Sequence, residues 1–174
     1  MIGNDVIDLL QSRKESNWQR KGLIEKLFTA EEQLLIATTV NPELMLWTLW
    51  SMKEAAYKVY NHKTKIREYI PKKLVCSIKP ENLNLESGNF NGIVICSGNI
   101  YYTKTILSAD SIHTIAVSNL ENLNDVIEIE RQSVIKDQNG IPFLVASNKK
   151  QDVSISNHGR FEKVVAINSK NRGN

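Results

Sequence analysis

WSMKEAAYK, residues 50–58, decides the reading of this chain. Met, Lys, Glu and Ala are good helix formers. The surrounding PELMLWTLWSMKEAAYKVYN, residues 42–61, reads as the longest helix, opened by Pro42 in its first turn. From Lys58 one face runs through Glu54 and Trp50 to Trp47, in steps of four, four and three. That spacing is one stripe of an α-helix. A carboxylate on an aromatic stripe is partly desolvated and needs a cation, a metal or a proton. Taken alone, Glu54 and Lys58 read as an exposed i,i+4 ion pair contributing roughly 0.3–0.5 kcal/mol. A second acidic group must come from elsewhere in the chain to make the stripe a site.

Before this helix, GLIEKLFTAEEQLLIAT, residues 22–38, reads as helical. Thr29 is a good N-cap there, and Glu32 three residues later completes a capping box. MIGNDVIDLL, residues 1–10, reads as a short strand or turn carrying Asp5 and Asp8, followed by a polar stretch around Trp18. Beyond Pro71 the pattern changes to β-branched runs of strand length: 73–79, 92–98, 100–108 and 113–120. An acidic connector at 121–133 reads as a loop or short helix, and two further strand–turn–strand units follow with turns at Gly140 and Gly159. The tail 169–174 reads as frayed. Two late strand pairs each end in an Ala inside a β-branched run, Ala116 and Ala166, which suggests two related sheet units.

The 174 residues suffice for one domain or two small halves sharing a core. A net charge of +3, from 22 basic and 19 acidic residues, is too mild to argue for nucleic acid. Between His62 and Lys73, however, stand Lys63, Lys65, Arg67, Lys72 and Lys73 against Glu68 alone. Such a patch suits an anionic ligand, an acidic protein surface or simply a solvated loop. Cys76 and Cys96 have no metal-like spacing. Asp5 and Asp8 interrupt the first residues, and no run approaches the roughly 20 apolar residues of a membrane span. The expectation is a cytoplasmic protein with free thiols, no membrane and no nucleic-acid partner.

GNDVIDL, FTAEE and WSMKEAAYK occur in that order. Together they resemble the 4′-phosphopantetheinyl transferase superfamily, which shows G-x-D followed by Ile or Val, then F-S/T-x-x-E, then W-S/A-x-K-E-A/S-x-x-K. Downstream, DQNGIPFL and VSISNHGRF look like the G-x-P and I/L-S-H-S-G-R/W elements of the two-domain, surfactin-synthetase-activating type, which there precede the G-x-D motif. The order therefore resembles either a permuted, shortened two-domain enzyme or a one-domain holo-acyl-carrier-protein synthase with an added sheet unit. The resemblance implies an α+β fold with a long helix packed on an antiparallel sheet. It implies a transferase core unit over 1–120 and a second, partial sheet unit over 121–174 on the same core.

The implied activity is Mg²⁺-dependent transfer of the 4′-phosphopantetheine arm of coenzyme A to a serine of an apo acyl or peptidyl carrier protein. Adenosine 3′,5′-bisphosphate is released. Asp5 and Glu54 are the implied metal ligands, and Glu54 also the base. Lys58 is the implied catalytic cation. Lys53, Ser156, Asn157 and Arg160 are the implied substrate contacts, with Asp8 and Glu32 supporting the site from outside the metal's ligands. The sequence departs from the family at Asn157, where the family has His with a Ser after it and this chain has Asn followed by His158. It departs again at Ile7, where the two-domain type has a third acid. Asn157 supports the alternative of a degenerate member that binds coenzyme A or a carrier without catalysis. Fatty-acid, polyketide and peptide carriers stay open, as does the oligomeric state.

Overall fold

The structure, a computed structural model, describes residues 1–78, 88–146 and 149–168. The end of the first expected late strand, at Lys79, and the tail 169–174 lie outside the described residues. The chain opens with strand β1 (Ile2–Asp8), and helices α1 (Leu9–Glu15), α2 (Leu23–Leu27), α3 (Ala30–Thr38) and α4 (Pro42–Thr64) follow. Strands β2 (Val75–Ser77), β3 (Asn89–Cys96), β4 (Asn99–Leu107) and β5 (Ser111–Val117) complete the first sheet. The second sheet is built from β6 (Val126–Glu128), β7 (Ile135–Lys136), β8 (Pro142–Ala146), β9 (Lys149–His158) and β10 (Phe161–Ile167). Among the described residues each sheet has five strands, in the orders β1-β5-β4-β3-β2 and β6-β10-β9-β8-β7. Every pairing within them is antiparallel. The α+β architecture is the one expected, with long α4 laid on an antiparallel sheet.

Three local expectations needed correction. The helix expected over 22–38 is two helices, because the chain is extended at Phe28 and Thr29 and restarts at Ala30. The capping box itself is present: Thr29 Oγ1 accepts from the Glu32 amide, and Glu32 accepts from the Thr29 amide. Secondly, α1 was not expected. The Asp8 carboxylate accepts from the Leu10 and Gln11 amides and starts a helix where only a polar stretch was read. Thirdly, the connector holds the expected short helix, a 3-10 turn at Leu120–Asp125, but then adds β6 to the second sheet.

Helix α4 is anchored by its apolar face. Leu49, Met52, Ala56 and Val59 are wholly buried against Val94, Tyr101 and Ala116 of the first sheet. Truncating one such large side chain costs about 2–5 kcal/mol. A second cluster joins the two sheets, with Ile2, Ile115 and Val117 meeting Leu123 and Val165. Helix α4 is thus fixed on one face of the first sheet, and the second sheet lies beside β1.

Candidate active site

Asp5 and Glu54 come together because β1 approaches α4 with no side chain between them at Gly3. A Cβ there would lie 2.1 Å from the Ala55 carbonyl oxygen and 3.1 Å from the Lys58 Cβ. Only glycine permits that approach. Asp5 shares a face of the strand with Gly3 and meets the neighbouring turn of α4, which carries Ser51 and Glu54. Burial pushes the Asp5 carboxyl above its ordinary range, and the Lys58 charge opposes that shift. Glu54 is pushed up by burial and then by the negative charge of Asp5. Lys58 is pushed down by burial, while Asp5 and Glu54 pull it back. The three groups form one electrostatic cluster of two acids and one cation.

The cluster divides two cavities. One, of about 240 Å³, is lined by Asp5, Glu54, Trp47, Trp50 and His158 among others. The other, of about 550 Å³, is lined by Lys58, His62, Arg67, Arg131, Lys136 and the chain from Gly140 into the start of β8. Asn157 borders both. The tryptophan stripe expected from sequence therefore walls the acid-lined cavity, and its continuation walls a cationic one. Arg67 donates to the Asn139 carbonyl at 2.6 Å, and Arg131 pairs with Glu162. His62, pushed down first by burial, lies one turn beyond Lys58 on the same stripe. Extending the stripe by four residues would have found it. Arg131 and Lys136 come from the second sheet and had no local signal.

The oxygen-only pair of Asp5 and Glu54 fits a Mg²⁺ ion, which takes one or two carboxylates and fills its remaining positions with water and substrate phosphate. The observation that supports the fit is the set of unsatisfied polar atoms around the acids. Trp47 Nε1, Ser51 Oγ and the Tyr69 hydroxyl are buried without a hydrogen bond. The Ser51 and Tyr69 hydroxyls approach Asp5 and Glu54 closely enough to favour ionisation but do not reach hydrogen-bond geometry. Among the described residues no group of three or more His, Cys, Asp or Glu side chains forms a protein-only cage.

Ser156 lies against Asp5: its hydroxyl donates to Asp5 Oδ1 at 3.1 Å. Lys58 Nζ donates to the carbonyls of Asn4 at 2.6 Å and Ile155 at 3.2 Å. Lys53 and Arg160, expected at substrate, have partners within the protein, as do Asp8 and Glu32, expected outside the metal's ligands. Lys53, expected at a phosphate, is wholly buried and paired with Glu32 at 2.7 Å. It also donates to the carbonyls of Pro71 and Leu74. The reason is periodicity, since Lys53 points into the core while Glu54 and Lys58 share the other face. Glu32 accepts from Lys53, Thr29 and the Cys76 amide, so it ties α3, α4 and β2 together. Arg160, expected at substrate, makes two bonds to Asp8 at 2.8 and 2.9 Å and faces Asp110 at 3.6 Å. Asp8 caps α1 while its Arg160 partner holds its carboxyl far below the usual range. The tight turn at Gly159, φ +54°, makes this possible, since a Cβ there would lie 2.5 Å from Asp8 Oδ2.

Comparison with curated proteins gives no match. The family model for the 4′-phosphopantetheinyl transferase superfamily matches residues 1–92, just over half of the chain. The matched region holds Asp5, Glu54 and Lys58 on the β1–α4 framework just described. On that match and that fold, the chain belongs to the 4′-phosphopantetheinyl transferase superfamily.

Proposed function

We propose that the protein transfers the 4′-phosphopantetheine arm of coenzyme A to a serine of an acyl or peptidyl carrier protein in the cytoplasm. Mg²⁺ would be held by Asp5 and Glu54. The observation that carries this reading is the meeting of an acid-lined cavity and a cationic cavity at Asp5, Glu54, Lys58 and Asn157. A substrate with a pyrophosphate between an uncharged arm and a phosphorylated nucleotide has a matching division of charge.

When bound, Mg²⁺ supplies neutralisation of charge on the phosphoryl oxygens. Lys58 contributes a fixed positive charge to the same oxygens. Its present acceptors are neutral carbonyls, so a phosphate oxygen competes with them favourably. Glu54, lining the acid cavity beside Asp5, takes the proton of the carrier serine. The serine oxygen forms its bond to the phosphorus bearing the pantetheine arm. The bond from that phosphorus to the bridging oxygen breaks, and adenosine 3′,5′-bisphosphate leaves. His62, Arg67, Arg131 and Lys136 receive the nucleotide's phosphates, and the Trp47–Trp50 wall receives the arm.

Asn157, standing where the family has histidine, favours the second reading, a binder of coenzyme A or carrier without catalysis. Mass spectrometry of candidate apo-carrier proteins incubated with the protein, coenzyme A and Mg²⁺ separates the two. The transferase reading expects a mass gain of one phosphopantetheine arm on serine, lost when the metal is chelated. Coenzyme A binding with no gain on fatty-acid, polyketide or peptide carriers would contradict it.

A further inference from the structure

β1 is an edge strand of the first sheet, and its other edge is covered in an unusual way. The amides of Asn4, Val6 and Asp8 donate to Ser154 Oγ, Ser156 Oγ and His158 Nδ1 at 2.9, 3.0 and 2.9 Å. Each pair is 150 residues apart, so β1 and β9 run parallel and in step. Among the described residues they share no sheet. Alternate side chains of β9 thus take the place of a backbone ladder, as the period of two allows. Lys58 closes the same seam by bridging the carbonyls of Asn4 and Ile155.

The three steps of the seam differ in one respect. Ser154 receives the Asn4 amide, and His158 receives the Asp8 amide while facing Glu15 at 3.1 Å. Ser156 receives the Val6 amide and also donates to Asp5 Oδ1. A hydroxyl has one proton and two lone pairs, so these two bonds form a directed chain from Val6 N–H through Ser156 O–H to Asp5. Holding Oδ1 fixes the plane of the carboxylate and the direction of Oδ2. We propose that Ser156 is a positioning residue for Asp5, through which the second sheet sets the geometry of the metal site. This rests on the reading of Asp5 as a metal ligand, and it replaces the expected role of Ser156 as a substrate contact.

The test is Mn²⁺ binding to the full chain, read from the electron paramagnetic resonance of free Mn²⁺, with no substrate present. Ser156→Ala should weaken binding by roughly 10–100-fold, the usual loss when a partner of a metal ligand is removed. Ser154→Ala, one step along the seam and without contact to Asp5, should bind as the wild type does. Ser156→Thr, which keeps the hydroxyl, should restore binding. If Ser156→Ala fails to fold by circular dichroism, Ser156→Cys, slightly larger than serine and a poor donor, should show the same loss. Wild-type binding in both hydroxyl-deficient variants, or an equal loss in Ser154→Ala, would overturn the positioning role alone. A wild type that binds no Mn²⁺ would overturn the two-acid metal site, and the positioning role with it.

Discussion

The two sheets have the same strand order, offset by five, yet only one carries acids at the site. β1 and β6 are corresponding edge strands, and β5 and β10 lie next to them with Ala116 and Ala166 at matching places. In the first sheet Asp5 lies across from Thr114; the matching place in the second, beside Val164, is held by Ile129. Between β1 and β2 the chain inserts four helices, including α4 with Glu54 and Lys58; between β6 and β7 it inserts one short turn, Arg131–Ser133. A shared topology thus does not distribute chemistry evenly. The first unit contributes the acids and the helix, and the second contributes a wall, Asn157 and the hydroxyls that hold β1 in place.

The sharpest way to break this division is to remove the acids. Asp5→Ala and Glu54→Ala should each lower transfer on the order of 10³-fold, comparable to or larger than the loss of a strong electrostatic contact in a transition state. Circular dichroism should show both folded. Asp5→Asn should also melt no lower than the wild type without metal at neutral pH, because burial disfavours the Asp5 charge. Activity near wild type in either alanine variant would remove that acid from the metal site.

The two lysines of the motif give the next contrast. Lys58→Ala should lower turnover on the order of 10²-fold and melt lower as well, since the Asn4 and Ile155 carbonyls lose their donor. Lys53→Met should lower stability without lowering the turnover of the folded protein, since it leaves Glu32 buried without its cation at a cost of about 3–5 kcal/mol. Kinetics and thermal melts on both variants check this, and a Lys53→Met protein that is stable but inactive would contradict it.

The junction between the sheets should show in the pH dependence of stability. His113 on β5 is pushed down to about 4 by burial and then by the Lys163 charge. Asn4, Glu128 and Lys58 also face it. An unfolded imidazole titrates near 6.5, so between that value and about 4 the unfolded chain binds more protons. The stability His113 supports is therefore present above about 6.5 and lost as the pH falls toward 4, at most about 3 kcal/mol. Melting temperatures across that range should fall, and His113→Asn should flatten the fall. An unchanged slope would remove His113 from the account. The smallest effect is expected in the basic stretch. Arg67→Glu, in the cationic cavity, should weaken coenzyme A binding by less than about tenfold and more at low salt. Lys63→Glu, whose ammonium holds Asn99, should leave binding unchanged.

What the sequence revealed follows from the range of its signals. The α4 stripe was legible because a helix repeats its face every three to four residues, so Trp47, Trp50, Glu54 and Lys58 could be aligned without any structure. The Thr29–Glu32 box was legible for the same local reason. The split at Phe28 is already implied by that box, since an N-cap residue has extended backbone and cannot lie inside a continuous helix. Lys53 was misplaced because a motif gives order and not direction; its neighbour Glu54 faces the cavity, and it faces the core. Arg131 and Lys136 were invisible because they reach the cationic cavity from the second sheet. The Ser154–Ser156–His158 seam was likewise hidden, because its partners lie 150 residues away.

Asp5 and Glu54 are expected to act as one unit on one ion, and a double-mutant cycle on the transfer rate shows whether they do. If both acids hold the same Mg²⁺, removing either already removes the ion's contribution. Asp5→Ala/Glu54→Ala should then be no slower than the slower single variant, as for residues that work together. Losses that multiply, with the double variant slower by the product of the two single effects, would show independent roles and contradict the shared site.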